Sequence, residues 1–233
     1  MIYTLTPNPS LDRTFVIPHL KVGEYNRGHV TRLDPGGKGI NVSRNLRELG
    51  EDSIIVGYFG GGTGRALVDS LRDQGFTVEA LPVEGETRSN ITLIESDSGR
   101  WTKLNEYGPE ISDEMAKTLL AFASEHTKEQ DIWVLSGSLP PGLPADYYAQ
   151  LITIIKERGG LVCLDSSGPP LKYGCQAAPY LVKANQVEAE TVLGRELPTR
   201  ETRRMALSHL LEMGISLAVI SCSFRINTFI ARH

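Results

Sequence analysis

Residues 34–44 read DPGGKGINVSR, which sets Gly36, Gly37, Lys38 and Gly39 at the mouth of a stretch patterned as an amphipathic helix. A helix N-terminus presents unpaired backbone N–H groups and a partial positive charge, and glycines let a ligand come close to that backbone. Lys38 adds a full charge at the same point, so the chemistry such a stretch supports is capture of an anion. It is not a Walker A loop, because Lys38 is followed by Gly39 rather than Ser or Thr and no glycine stands five residues before Gly37. It is not a dinucleotide fingerprint either, since Val42 stands at the third glycine position and the stretch lies far from the first strand. A plain tight turn ahead of a helix is the competing reading of the same spacing.

Three other stretches carry groups able to bind or react. In TPNPSLD, Asp12 follows a proline-rich turn, where it can accept hydrogen bonds from substrate hydroxyls or simply cap the turn. TRSN puts Arg88 and Asn90 on one face of a strand, and arginine there either forks onto a phosphate or stays solvated. In VKANQVEAE, Asn185 and Glu188 are three apart at a helix start. That spacing suits two oxygen ligands for Mg²⁺ and equally a capping box. No HExxH, GxSxG or cysteine-nucleophile pattern competes with these.

The elements that must hold these groups alternate. Strands are expected at 2–5, 53–59, 76–81, near 131–138, near 160–168 and at 180–185, with helices after Gly39 and at 62–75, 112–126 and 144–158. Alternation of this kind implies a parallel sheet covered on both faces, with ligands beyond the carboxyl ends of the strands. Three strand ends carry polar residues: LSGS, LDSSG and LVKANQVEAE. Two strand-rich inserts, about 11–34 and 84–107, break the alternation and are expected to pair with each other as a small sheet forming a lid. One domain over residues 1–233 accommodates all of this.

Composition narrows the function classes. With 40% hydrophobic residues, 22% charged residues and a formal net charge of −4, the chain reads as an ordinary soluble enzyme with no nucleic-acid partner. MIYTLTPNPS has no signal-peptide pattern and no apolar run approaches membrane length, so a cytoplasmic protein without a membrane partner is expected. Cys163, Cys175 and Cys222 form no CxxC, and Cys163 is expected in the core.

Taken together, TPNPSLD, GGKGINVSR, TRSN, SGSLPPGLP, LDSSG and the KxNxxE of residues 183–188 resemble, in order and spacing, the PfkB family of ribokinase-like sugar kinases over about residues 1–221. The resemblance implies an α/β fold, a ribokinase-like three-layer α/β/α sandwich with a small β-sheet lid. It implies ATP-dependent, Mg²⁺-assisted phosphorylation of a ketohexose phosphate (tagatose-6-phosphate, fructose-1-phosphate or fructose-6-phosphate) to the bisphosphate. Lys38 would meet the phosphate of the sugar, while Asp12, Gly36, Gly37, Gly39 and Asn41 would bind the sugar itself. Arg88 and Asn90 would close on the substrate from the lid, Ser138 would line the same cleft, and Arg27 is expected to reach the phosphate. On the nucleotide side the resemblance assigns Lys183 and Asn185, with Asp165, Asn185 and Glu188 around the metal. Lid sheets of relatives often pair between subunits, which implies a homodimer through the lid.

Two departures stand out. Ala184 replaces the usual proline, which is expected to loosen the turn. The family's catalytic aspartate belongs to a GAGD or GSGD motif, and this chain instead runs from Ser221 into CSFRINTFIARH. The alternative expectation is therefore a C-terminally truncated, inactive kinase that at most binds sugar phosphate, lacks the C-terminal portion of the fold, and leaves the strand at 216–221 with a bare edge.

Overall fold

The computed structural model describes residues 1–222 and 228–231. In chain order the elements are β1 (Ile2–Thr6), β2 (Ser10–Ile17), β3 (His29–Gly36), α1 (Lys38–Glu48), β4 (Ile54–Gly60), α2 (Gly61–Asp73), β5 (Thr77–Val83), β6 (Arg88–Glu95), β7 (Trp101–Asn105) and α3 (Asp113–His126). Then follow β8 (Ile132–Ser136), α4 (Tyr147–Glu157), β9 (Leu161–Asp165), α5 (Gly168–Gln176), β10 (Leu181–Asn185), α6 (Gln186–Leu193), α7 (Arg200–Glu212), β11 (Leu217–Ser221) and β12 (Thr228–Ala231). Eight strands form one sheet in the order β12-β11-β10-β9-β8-β1-β4-β5, parallel except for β12. Among the described residues no helix is long and apolar enough to cross a membrane.

Period-2 alternation sends successive side chains of each strand to opposite faces, which creates two cores. Tyr3, Leu5, Val56, Tyr58, Trp133, Leu135, Val162, Leu164 and Val182 fill the larger one, under α3 to α7. Ile55, Phe59 and Val78 fill the smaller one, under Ile40 of α1 and Leu67, Val68 and Leu71 of α2. Val134, Cys163, Leu181, Leu217 and Val219 are only half-buried and belong to neither core. Among the described residues, then, the second helical layer covers one half of the sheet more fully than the other. Cys163 sits on the less covered half rather than in the core, because Val162 and Leu164 take the inward positions on β9.

The two inserts do pair. A second sheet has the order β3-β2-β6-β7, with β2 and β6 parallel over eight register pairs from Ser10↔Arg88 to Ile17↔Glu95. The start of β6 is gripped by the turn before α2. Thr87 accepts a hydrogen bond from Gly60 N–H at 2.8 Å, and the Glu86 carboxylate accepts from Gly62 N–H at 3.0 Å and Thr63 N–H at 2.9 Å. Gly61 has a φ of 62°, and a Cβ there would run into that carboxylate. The glycine run thus makes room for an acid that caps α2 from 23 residues away.

The backbone N–H bonds from Thr63 and Gly62 hold Glu86 below its ordinary value of 4.5. A depressed folded-state pKa means the carboxylate stabilises the fold above the ordinary pKa, and that the contribution is lost as pH falls through the lower folded value. Glu86→Gln is expected to be less stable than the parent at pH 7, with the two denaturation midpoints converging once the pH has fallen through the lowered folded-state pKa. Urea titrations across pH 3–7 check this. Parallel curves for the two proteins would remove Glu86 from the acid response.

Two helices add to the expected elements and one strand edge differs from expectation. Residues 168–176 form a helix, since prolines at the first helical positions lack only N–H groups that would be unpaired anyway. Arg200–Glu212 forms a helix capped reciprocally by Thr199 and Thr202. The edge of β11 is not bare, because β12 pairs antiparallel with it from Leu217↔Ala231 to Ile220↔Thr228.

Candidate functional site

The carboxyl ends of β1 and β9 meet the start of α1 through Thr6 and Asp165. Helix α1 begins at Lys38, one residue before Gly39, with Gly37 as N-cap and no side-chain cap. Gly39 packs directly on β1: a Cβ there would lie 2.6 Å from Thr6 Oγ1 and 2.8 Å from the Leu5 carbonyl oxygen. Thr6 Oγ1 accepts the Ile40 N–H at 3.2 Å, so the glycine sets how closely the helix mouth approaches the strand end.

The second sheet brings Asp12 and Asn90 together as register partners. Asp12 Oδ1 accepts from Ser10 Oγ at 2.7 Å and from Asn90 Nδ2 at 2.9 Å. Asn90 Oδ1 is buried and has no hydrogen-bond partner among the described residues. Gly36 lies against the Asp12 carboxyl group, where a Cβ would come within 2.5 Å. The Arg88 guanidinium donates to the Asn8 carbonyl at 3.0 Å and 3.2 Å and to the Glu106 carbonyl at 3.2 Å. Burial pushes its pKa below the usual arginine value, opposed by the charges of Asp12 and Glu106. Arg88, Asn8 and Ser138 line one groove of about 470 Å³, whose walls include Tyr107, Leu139 and Pro169.

Lys38 points elsewhere. Its ammonium donates to Asp165 Oδ1 at 2.9 Å, and Lys183 Nζ lies 3.6 Å from Asp165 Oδ2. Asn41 is exposed and accepts from Arg44 Nη1 at 2.8 Å, while Arg44 Nη2 donates to the Pro35 carbonyl at 2.8 Å. Arg27 is not brought to these groups: it lines grooves at the far end of β2, with Ile17, Gly28 and His29.

Asn185 and Glu188 form a capping box on α6, with Glu188 N–H to Asn185 Oδ1 at 2.9 Å and Asn185 N–H to Glu188 Oε2 at 2.7 Å. Ala184 is a buried strand residue of β10, and the tight box follows immediately, so the expected loosening is not seen. Among the described residues no group of three or more Asp, Glu, His or Cys is placed to hold a metal. The hard oxygen donors of Asp165, at the end of β9, and of Glu188, in the first turn of the helix that follows the neighbouring β10, fit a Mg²⁺ that takes few protein ligands and completes its shell with phosphates and water.

Asn8, Ser10, Arg44 and Glu106 were not singled out from the sequence. Asn8 and Ser10 belong to the same proline-rich stretch that flagged Asp12. Arg44 stands one helical turn after Asn41, a spacing that places both on one face. Glu106 carries no local signal, since its backbone carbonyl meets Arg88 and its carboxylate accepts the Ser89 N–H at 2.8 Å, both on a distant strand.

Among curated proteins, the 1-phosphofructokinase of Bacillus subtilis (strain 168) is 36% identical over 221 residues, covering 95% of this chain and 72% of its own length. Among solved structures, phosphofructokinase-2 from Escherichia coli in complex with fructose-6-phosphate superposes with a TM-score of 0.93 at 30% identity, over 99% of this chain and 76% of that one. The tetrameric inhibited form of the same Escherichia coli enzyme gives the same TM-score of 0.93 and the same coverage. The ribokinase-like fold expected from the sequence is therefore present, second sheet included. Residues 8–223 match the family model described as pfkB family carbohydrate kinase, and the chain belongs to that family.

Proposed function

We propose that this cleft binds a phosphorylated ketohexose and is built for transfer of the terminal phosphoryl group of ATP to it. The observation that carries this is the groove uniting Arg88, Ser138 and Asn8 beside the Asp12–Asn90 pair. Arginine offers a planar fork to a phosphate, and the carboxylate and amide oxygens suit sugar hydroxyls. The names of relatives support a fructose phosphate as substrate.

In this assignment Arg88 and Ser138 hold the sugar phosphate, and Asp12, Gly36, Gly37, Gly39, Asn41 and Asn90 surround the sugar. Lys38 stands between the sugar and the nucleotide, with Lys183 and Asn185 on the nucleotide side. Asp165, Asn185 and Glu188 would hold Mg²⁺. When bound, Mg²⁺ and ATP supply the phosphoryl group and neutralise charge on it. The second sheet acts as the lid. Its outer face exposes Leu33, Leu104 and Val30 next to Phe15, Ile91 and Leu93, and such a contiguous apolar face supports a homodimer formed through the lid, with Arg27 at its rim.

Titration calorimetry with tagatose-6-phosphate, fructose-1-phosphate and fructose-6-phosphate tests the assignment and ranks the sugars. Arg88→Ala is expected to weaken the preferred sugar phosphate roughly 10- to 100-fold while leaving ATP binding near the parent value, because a charge-assisted contact is worth about 1.5–3 kcal/mol. An unchanged sugar-phosphate affinity would sink the groove as the binding site.

A second reading, binding without turnover, is favoured by one observation: each acid nominated for the cleft is already engaged. Asp12 accepts from Ser10 and Asn90, Asp165 faces two lysines, and Glu188 accepts the Asn185 N–H.

A further inference from the structure

Three charged side chains from distant parts of the chain meet at the carboxyl edge of the main sheet. Asp165 ends β9, Lys183 stands on β10 one residue past the register pair Val182↔Leu164, and Lys38 arrives from the first position of α1. The carboxylate takes a direct hydrogen bond from Lys38 at 2.9 Å and a looser ion pair with Lys183 at 3.6 Å. The two sides of the cluster differ in freedom. Asp165 is 27% exposed, on a short side chain, and its backbone carbonyl is fixed by the Gly137 N–H at 2.9 Å. Lys38 and Lys183 are 46% and 38% exposed, on long flexible stems. When an anion enters, the lysines can swing to it while the carboxylate stays.

We infer that Asp165 is an internal counter-anion: it occupies both ammonium groups in the empty cleft and so holds down the affinity of the site for phosphate-bearing ligands. The identity of the ligand rests on the phosphosugar reading above, whereas the charge balance does not. With Asp165 present, two cations and one anion leave a single net positive charge at the cluster. Without it both ammonium groups are free, and an incoming phosphate loses a competitor and a like-charged neighbour. A divalent cation on the Asp165 oxygens has the same effect as removing the charge. Anion affinity of the parent protein should therefore rise when Mg²⁺ is added, and that of Asp165→Asn should not.

The experiment is calorimetric titration of the full 233-residue chain with two probes, fructose-1-phosphate and inorganic phosphate, at low salt and without divalent cations, repeated with Mg²⁺. Asp165→Asn is expected to bind both probes about 3- to 10-fold tighter than the parent, the range open to two partly exposed ion pairs. That gain should shrink with added salt. Lys38→Ala placed in the Asp165→Asn background should abolish it, and Asp165→Glu should restore the weaker binding. A gain for inorganic phosphate with no sugar-phosphate binding by either protein keeps the counter-anion and overturns the sugar assignment. Equal or weaker binding of both probes by Asp165→Asn and by Asp165→Ser, each with a parent-like melting curve, overturns the counter-anion and leaves the sugar assignment standing. Absence of any anion binding by every variant overturns it too.

Discussion

No ATP-dependent turnover is expected from a polypeptide of these 233 residues, although sugar phosphate should still bind. The resemblance to PfkB kinases implies a base on the aspartate of a GAGD or GSGD motif, and neither motif occurs among these residues. Loss of a general base alone costs about 10²- to 10⁴-fold. Loss of a preorganised anion-stabilising loop costs roughly another 10²- to 10³-fold. The acids that remain near the cleft are poor substitutes, because their oxygens already accept hydrogen bonds or face ammonium groups. The test compares this polypeptide with one extended by a family-like segment carrying the GAGD aspartate, assaying bisphosphate formation with each of the three candidate sugars. Activity in the extended protein alone is expected. Comparable activity in the shorter one would force a search for the base among Asp12, Asp165 and Glu188.

Gly39→Ala is expected to be the most damaging single substitution at the helix mouth. The added Cβ would lie 2.6 Å from Thr6 Oγ1, 2.8 Å from the Leu5 carbonyl oxygen and 3.0 Å from its carbon. None of these can yield, since Leu5 and Thr6 are buried in a strand paired on both sides. The helix must retreat, giving up the Ile40 N–H bond to Thr6. Overpacking together with an unpaired buried donor costs about 2–4 kcal/mol, and a chain of this size should melt roughly 5–15 °C lower. Sugar-phosphate affinity should fall as well, because the donors at the start of α1 move with the helix. Gly62→Ala is the control: the nearest neighbouring atom to its Cβ is 3.9 Å away, so its melting temperature should stay near the parent value. A Gly39→Ala protein that melts with the control would contradict the close approach.

Much of this arrangement was legible in the residues. Tyr3 and Leu5 alternating with Thr4 and Thr6 announce a buried strand, and the inserts at 11–34 and 84–107 pair as their strand-like patterns suggest. Asn185 and Glu188 illustrate the limit of local spacing, since the capping box and the metal pair need the same residues at the same interval, and the box is what forms. Helix α7 escaped notice because three arginines, a threonine and a serine dilute the apolar stripe of Ala206, Leu207 and Leu210. Helix α5 escaped because two prolines and two glycines in nine residues look like a loop until the prolines fall at its first turn. The meeting of Lys38 with Asp165 could not be seen at all, since 127 residues separate them and only the strand order brings them together. Arg88 was flagged by type, but its partners are backbone carbonyls, which carry no residue signature.

The parallel register of β2 with β6 joins residues 78 apart in sequence, from Ser10↔Arg88 to Ile17↔Glu95. Closing so long a loop is entropically costly until the intervening β4–α2–β5 unit has formed and carried residue 88 back to the site. The pocket for the sugar should therefore be assembled late in folding, after the main sheet has buried Trp133 against Tyr3. In a Trp101→Phe protein, Trp133 is the sole tryptophan and reports that burial. Its fluorescence change should precede recovery of sugar-phosphate binding during refolding. Newly made chains would thus pass through an interval in which they are compact but blind to their ligand, and a ligand that selects the finished pocket would shorten the time spent there by disfavouring its reopening.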